Sequence, residues 1–436
     1  MLHPEKPARN RAVRQEPLAF AYFGLLLFIF VYFARPEDWI PGLAFVPVAK
    51  IAGALILVAL ILSYGKIRWH LPWEIIFLAL LILQLWLSVP FSPVWKGGAI
   101  DVMLGFSKVL PLVIVIHATV RSLKRLRWIM IVQAASIATV AIASIVQAGR
   151  VGECLQGALH SMWGDPNDLA VLIDLSLPLC LAIALTTRDY WQKITWVLAM
   201  LAMLYAVMLT ASRAGALALG VAVLVCVWHL GVRSRRAWLL LAVPVVLGAL
   251  WLYAGSALRQ RFVHTSVDEG VRSHGTEASE SARQRKQLLL RSLEVTAQHP
   301  ILGVGPGNFV IVSGVWHVTH NSFTQVSAEG GIPAFLLYSL VFWRAIANLR
   351  QIRRVRHTRR TFRLFATALE ASLAAFLVGS VFLSLAYHLF PYCLVGYTTA
   401  LLRIVKNERR VSQSTRRVPP KSEPVGAAVG LVGPAS

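Results

Sequence analysis

Hydrophobic residues in this chain come in long blocks separated by short polar connections. The blocks lie near Leu18–Ala34, Leu43–Ser63, Trp73–Pro90, Ile100–Val120, Leu126–Ala148 and Leu169–Thr187. They continue at Trp191–Thr210, Ala214–Leu230, Trp238–Tyr253, Phe323–Trp343, Phe365–Ala386 and Leu389–Val405. A hydrocarbon core of roughly 30 Å takes about twenty apolar residues in a helix, so the pattern predicts about twelve transmembrane helices. A spanning segment must satisfy its own backbone hydrogen bonds, which makes the expected fold class an all-α integral membrane protein. One polar insertion, residues 255–321, is much longer than the rest. It falls between the ninth and tenth predicted helices and is read as a single large external loop.

Lysine and arginine in the connections orient the helices. The even-numbered connections carry KIRWH, RSLKRLR, RDYWQK, VRSRR and the basic run 344–363. The odd-numbered ones carry RPEDW, SPVWKGG, the loop 151–168, Ala211-Ser212-Arg213, the long insertion and HLFPY. Both termini of this multi-pass protein are therefore expected in the cytoplasm and the long loop outside. Residues 1–405 form the membrane domain in this reading. Residues 406–436, rich in Pro, Gly, Ser and basic residues, read as a disordered cytoplasmic tail.

Composition agrees. The chain has 436 residues, is 57% hydrophobic and only 14% charged, with a mean hydropathy of +0.63. The net charge of +23 resides mostly in the short connections. That is the placement of a membrane protein and argues against nucleic-acid binding. The cysteines, Cys154, Cys180, Cys226 and Cys393, form no CxxC pair, so neither a disulfide framework nor a zinc site is suggested. The basic stretch KPARNRAVR precedes an apolar run that is long for a signal peptide and lacks an A-x-A site, which predicts a retained first helix. No internal repeat is visible, unlike many secondary transporters.

Candidate chemistry concentrates around the long loop. Arg213 sits in a very short outer turn, against the positive-inside bias, either snorkelling to lipid phosphates or held as an anion binder. Arg283, Arg285, Lys286 and Arg291 lie on a helical stretch that places Leu288, Leu289 and Val295 roughly together. That helix either rests on the bilayer surface or turns one arginine inward towards the same anion. His320-Asn321 stands where the loop re-enters the membrane; the imidazole is either a structural hydrogen-bonder or a base near neutral pH. ILGVGPGNF is not a nucleotide loop, because it lacks the GxxxxGK[ST] and strand–GxGxxG–helix contexts. Gly303, Gly305 and Gly307 instead predict a tight turn. Lys108 and Asp174 interrupt apolar helices about 14 Å and 9 Å below their outer ends at 1.5 Å per residue, and are expected to pair. Glu329 lies just inside the segment that follows His320.

TASRAG, the R-x-x-x-L that precedes AQHPILGVGPGNF, and HNSFTQVSAEGGIPA, in that order, resemble the O-antigen ligase/polymerase superfamily. The stretch GDPNDLAVLIDLSLPL also resembles that family. The resemblance implies an inverting, metal-independent glycosyl transfer at the periplasmic face of the bacterial inner membrane, without a cofactor. It implies a donor glycan on undecaprenyl diphosphate and, as acceptor, a hydroxyl of lipid A core, a growing glycan or a protein. Carried over by position, Arg213 and Arg285 would bind the diphosphate and His320 would be the base. Arg285 stands fifteen residues before Pro300, but Arg283 competes for its role, and Leu289 occupies a position where the family often has Trp. Asn321, Glu329, Lys108 and Asp174 are supporting candidates. A transporter or flippase of an anionic lipid-linked glycan, or a non-catalytic assembly factor, would share several of these features.

Overall fold

The computed structural model describes residues 18–39, 46, 48–62, 71–147, 150–151, 154–155, 164–232, 245, 248, 274–354 and 359–417. These are almost wholly helical. In chain order the helices are α1 (Ala19–Ala34), α2 (Pro36–Trp39), α3 (Val48–Leu62), α4 (Trp73–Ser88), α5 (Lys96–Phe106), α6 (Val109–Thr119) and α7 (Leu123–Gln147). There follow α8 (Pro166–Thr186), α9 (Tyr190–Thr210), α10 (Arg213–Cys226), α11 (His274–Gln298), α12 (Phe309–Val312), α13 (Ser322–Arg354), α14 (Arg360–Gly379) and α15 (Phe390–Arg417). A two-residue antiparallel bridge pairs Arg150–Val151 with Cys154–Leu155.

Among the described residues, seven helices are long and apolar enough to cross a membrane, and three shorter apolar helices accompany them. The predicted ninth span, Trp238–Tyr253, and most of the first half of the external loop lie outside the described residues.

Helices α8 and α14 form the centre. Every residue from Leu169 to Cys180 is buried, because α8 packs against α7, α9, α10 and α14 at once. A helix apolar on all sides belongs in such a position. An aromatic seam of Tyr338, Phe342, Phe376, Phe390 and Tyr392 joins α13, α14 and α15, with ring centroids from 5.1 Å to 6.1 Å apart.

Three apolar runs are not continuous α-helices. The run Ile100–Val120 breaks at Ser107-Lys108, where Ser107 Oγ accepts from Trp86 Nε1 at 2.9 Å. The run Ala214–Leu230 ends in a π-helical turn, Val227–Val232. The segment after His320 breaks at Gly331, with φ 79° and ψ 177°, into a short helix and a longer one. The last helix continues past Val405 to Arg417, so the start of the expected tail is helical.

The expected Lys108–Asp174 pair does not form. Lys108 is exposed at the α5–α6 break, whereas Asp174 is fully buried in the central helix and neither of its carboxylate oxygens has a hydrogen-bond partner. Lys108 keeps a right-handed helical backbone within the candidate span Lys96–Thr119 but is exposed on its outer face, whereas Asp174 is enclosed by the helices packed around α8.

Two polar ends follow from the connectivity. Arg127 Nη2 donates to Thr187 Oγ1 at 2.9 Å and Arg403 Nη2 to Val120 O at 2.9 Å. The start of α7, the end of α8 and the α6–α7 turn thus share one end of the bundle. The start of α8 and the α9–α10 turn share the other, joined by Ser212 and Asn167.

Candidate functional site

At that second end the chain makes two capped helix starts side by side. Asp165 caps α8, its Oδ1 accepting from the N–H of Asn167 at 2.7 Å and of Asp168 at 3.4 Å, with Pro166 at the first helical position. Pro is suited there because its missing N–H would be unpaired anyway. Ser212 caps α10, accepting from Gly215 N at 3.0 Å and donating to Asn167 Oδ1 at 2.6 Å. A Cβ on Gly215 would lie 2.5 Å from Ala170 Cβ, so glycine is what lets the two starts approach. Arg213 is the first residue of α10 and is exposed. A cation at a helix N-terminus adds to the positive end of the macrodipole instead of opposing it. Asp165, at the cap of the neighbouring helix, is the acid that faces this positive end.

Helix α11 brings Arg285 to this end of the bundle. Its face of Leu288, Ser292 and Val295 is buried, with Leu288 and Val295 packed on Val304, Phe309 and Ala328. Leu289, expected on the same face, is exposed instead. Arg285 is half-buried; burial, and next the charge of Arg213, push its guanidinium below its ordinary value, while Asp165 acts oppositely. Arg283 lies exposed on the same helix. Arg291 is committed elsewhere, to Glu294 at 2.8 Å and to Val312 O at 3.4 Å.

The glycine turn supports α11 from beneath. Gly303, Gly305 and Gly307 all have positive φ, a conformation that glycine adopts without strain. Val304 N–H donates to Ala328 O at 3.0 Å and Gly305 N–H to Glu329 O at 2.9 Å. The turn is also tied to α4, through Ser92 Oγ to Val304 O at 2.7 Å and Gln84 Nε2 to Ile301 O at 2.7 Å. Glu329 is buried below it and accepts from Tyr387 OH at 2.7 Å. Its observed contacts are those of a brace.

His320 occupies a left-handed backbone conformation, φ 52°, one in which histidine is more often found than most non-glycine residues. Its N–H donates to Ser384 Oγ at 3.0 Å, and Thr319 Oγ1 shares a 3.0 Å hydrogen bond with the same hydroxyl. Ser322 completes the bracket, donating to Leu383 O at 2.6 Å and accepting from Leu385 N at 2.8 Å. Asn321 caps the following helix, its Oδ1 accepting from Phe323 N at 2.9 Å and Thr324 N at 3.1 Å. The His320 imidazole hydrogen-bonds to none of the described residues. Burial, then Arg285 and His317, hold it below its usual value, and Asp165 opposes them.

The structure therefore brings Arg213, Arg285 and His320 into one electrostatic neighbourhood with Asp165. Lys108 and Asp174 do not pair, and Asn321 and Glu329 serve as cap and brace. Sequence reading missed Asp165 as the site's acid and Ser384 as the anchor of His320. The first had a visible signal, a D-P-N-D helix start; the second had none, since Ser384 is remote in sequence.

Residues 198–339 match the family described as O-antigen ligase. That stretch of the chain is similar to the O-antigen ligase family. The matched stretch contains Arg213, Arg285 and His320. The match supports glycosyl transfer of the O-antigen ligase type in a multi-pass membrane protein. No curated protein matches the chain. A solved structure described as "Structural coordination of polymerization and crosslinking by a peptidoglycan synthase complex" is 17% identical, covering 78% of this chain and 99% of its own, with a TM-score of 0.45.

Proposed function

We propose that this protein transfers a glycan from undecaprenyl diphosphate to an acceptor hydroxyl at the outer face of the cytoplasmic membrane, with inversion at the anomeric carbon. The observation that supports this is a run of neighbouring charges, in which Arg213 acts on Arg285 and Arg285 acts in turn on His320. The two guanidiniums repel each other, Arg285 is half withdrawn from water, and Asp165 is the acid that acts on Arg285. An anion bound between them relieves that repulsion, and a diphosphate matches guanidinium geometry bidentately.

In the reaction, the acceptor oxygen attacks the anomeric carbon from the side opposite the diphosphate. The bond from that carbon to the diphosphate oxygen breaks, and the electron pair leaves with the lipid diphosphate. Arg213 and Arg285 stabilise the negative charge that grows there. His320 takes the acceptor proton; burial first, and then Arg285 and His317, disfavour its charged form, so the imidazole is disposed to the neutral state that accepts it. The acceptor is a hydroxyl of lipid A core, of a growing glycan or of a protein.

The test is to incubate the purified full chain with an undecaprenyl-diphosphate glycan and each acceptor class, in the presence of a chelator, and to follow lipid diphosphate release. Release that depends on an acceptor is expected. Movement of intact donor across a vesicle without release would instead identify a transporter.

A further inference from the structure

The opposite end of the bundle holds a second basic cluster, remote from the transfer site. Three guanidiniums close on the last carbonyls of α6: Arg121 Nε donates to Ala118 O at 2.8 Å, Arg125 Nη1 to Thr119 O at 2.7 Å and Arg403 Nη2 to Val120 O at 2.9 Å. A helix C-terminus presents only about half a negative charge, so three cations overshoot it. Burial, and after it the charge of Arg125, push the Arg121 guanidinium below its ordinary value. Arg403 Nε is buried without a hydrogen-bond partner.

An open groove of about 380 Å³ lies beside this cluster, lined by Arg121, Ser122, Leu123, Arg359, Asn407 and Glu408 among others. Glu408 is the one acid in the lining and lies 3.5 Å from Arg359. The first turn of α7 forms one wall, with Ser122 Oγ accepting from Arg125 N–H at 3.3 Å. The remaining N–H groups of a first turn have no partner within their helix. Guanidinium groups in excess of acid, first-turn amides and a volume in the range of small-ligand sites together select a compact polyvalent anion.

We propose that this groove binds a phosphate group, carried either by an anionic lipid of the adjoining leaflet or by a soluble phosphate compound. Arg121 and Arg359 grip the phosphate oxygens from two sides, and Arg125 and Arg403 supply field from behind. Occupancy adds a further tie between the α6–α7 turn, the start of α14 and α15, beside the hydrogen bond from Arg403 to Val120 O.

Ser122→Asp is the decisive variant. Aspartate caps a helix as well as serine does, so α7 keeps its start, while a carboxylate enters the groove. Arg359→Gln, at an exposed position, tests the same point by removing charge. The full chain is purified into nanodiscs of phosphatidylcholine alone or with phosphatidylglycerol, and retained lipid is counted by native mass spectrometry. In parallel, inorganic phosphate and pyrophosphate are titrated against thermal unfolding of the phosphatidylcholine samples. Selective retention of phosphatidylglycerol identifies a lipid headgroup; stabilisation by phosphate or pyrophosphate identifies a soluble ligand. In either case both variants are expected to bind roughly 10- to 100-fold more weakly, as loss of a charge-assisted contact implies. Absence of binding to the wild-type protein in both arms, or variants that bind as the wild type does, would overturn the proposal.

Discussion

Ser212 and Asn167 share a 2.6 Å hydrogen bond that locks the start of α10 to the start of α8. Through it the position of Arg213 is tied to that of Asp165, although the two residues lie in different connections. Ser212 also caps its own helix. Ser212→Ala should cost about 1–2 kcal/mol from the lost cap alone. It should also slow transfer, because the two helix starts are no longer pinned. Thermal unfolding and initial rates on the same preparations check this; an unchanged rate at reduced stability would detach the cap from function.

The two arginines should not tolerate lysine. A point charge cannot replace a planar fork that grips two oxygens. Arg213→Ala and Arg285→Ala should each lose about 2–4 kcal/mol of transition-state stabilisation, roughly 30- to 1000-fold in rate. Arg283→Ala should stay near wild-type. Normal transfer by Arg213→Ala at normal abundance would return that residue to a lipid-facing role.

His320→Gln separates a base from a brace. Glutamine keeps hydrogen-bonding capacity but takes no proton near neutral pH, so transfer should fall by about 10²–10⁴-fold while donor binding persists. The pH profile gives the sign. A base works when neutral, and burial with Arg285 and His317 lowers its affinity for a proton. Activity should therefore hold to a pH below the usual histidine value of about 6.5 and be lost beneath it. Arg285→Gln should shift that acid limb upward, since a repelling cation is gone. An unmoved limb would mean that the titrating group is not His320.

The break at Gly331 should be intolerant. A Cβ there would lie 2.3 Å from Ile301 O, on a backbone with φ 79°. Gly331→Ala combines a clash with main chain and about 1–3 kcal/mol of conformational strain, so abundance and melting temperature should both drop. Gly220→Ala is the control: it is helical with open space around it and should gain about 0.5–1 kcal/mol. Equal behaviour of the two variants would refute the strained break.

Much was legible in the order of residues alone, for reasons of period and charge. Runs long enough to cross a bilayer mark helices because a backbone in hydrocarbon must bond to itself, and α7, α8 and α9 fall close to the runs that predicted them. The glycine turn was legible because spaced glycines announce positive φ, and all three have it. Arg213 and His320 stood out as polar residues at the edges of apolar blocks.

What the chain could not reveal by itself is which distant segments meet. The breaks at Ser107-Lys108 and Gly331 lie inside apolar runs, and hydropathy averages across them. Only packing decides them: Ser107 is taken by Trp86, and Gly331 passes beneath the backbone of Ile301. Asp174 shows the same limit. Composition offers Lys108 as its partner, but a partner is a matter of distance, and the fold leaves one exposed and the other enclosed. Sequence determined the elements and the residue types near the site; tertiary structure decided that Arg285 turns to Arg213, that Asp165 answers Arg285 and His320, and that Ser384 holds His320. The physical reason is that hydrophobic period is local along a helix, whereas the field at a charged group sums over whatever the fold places around it.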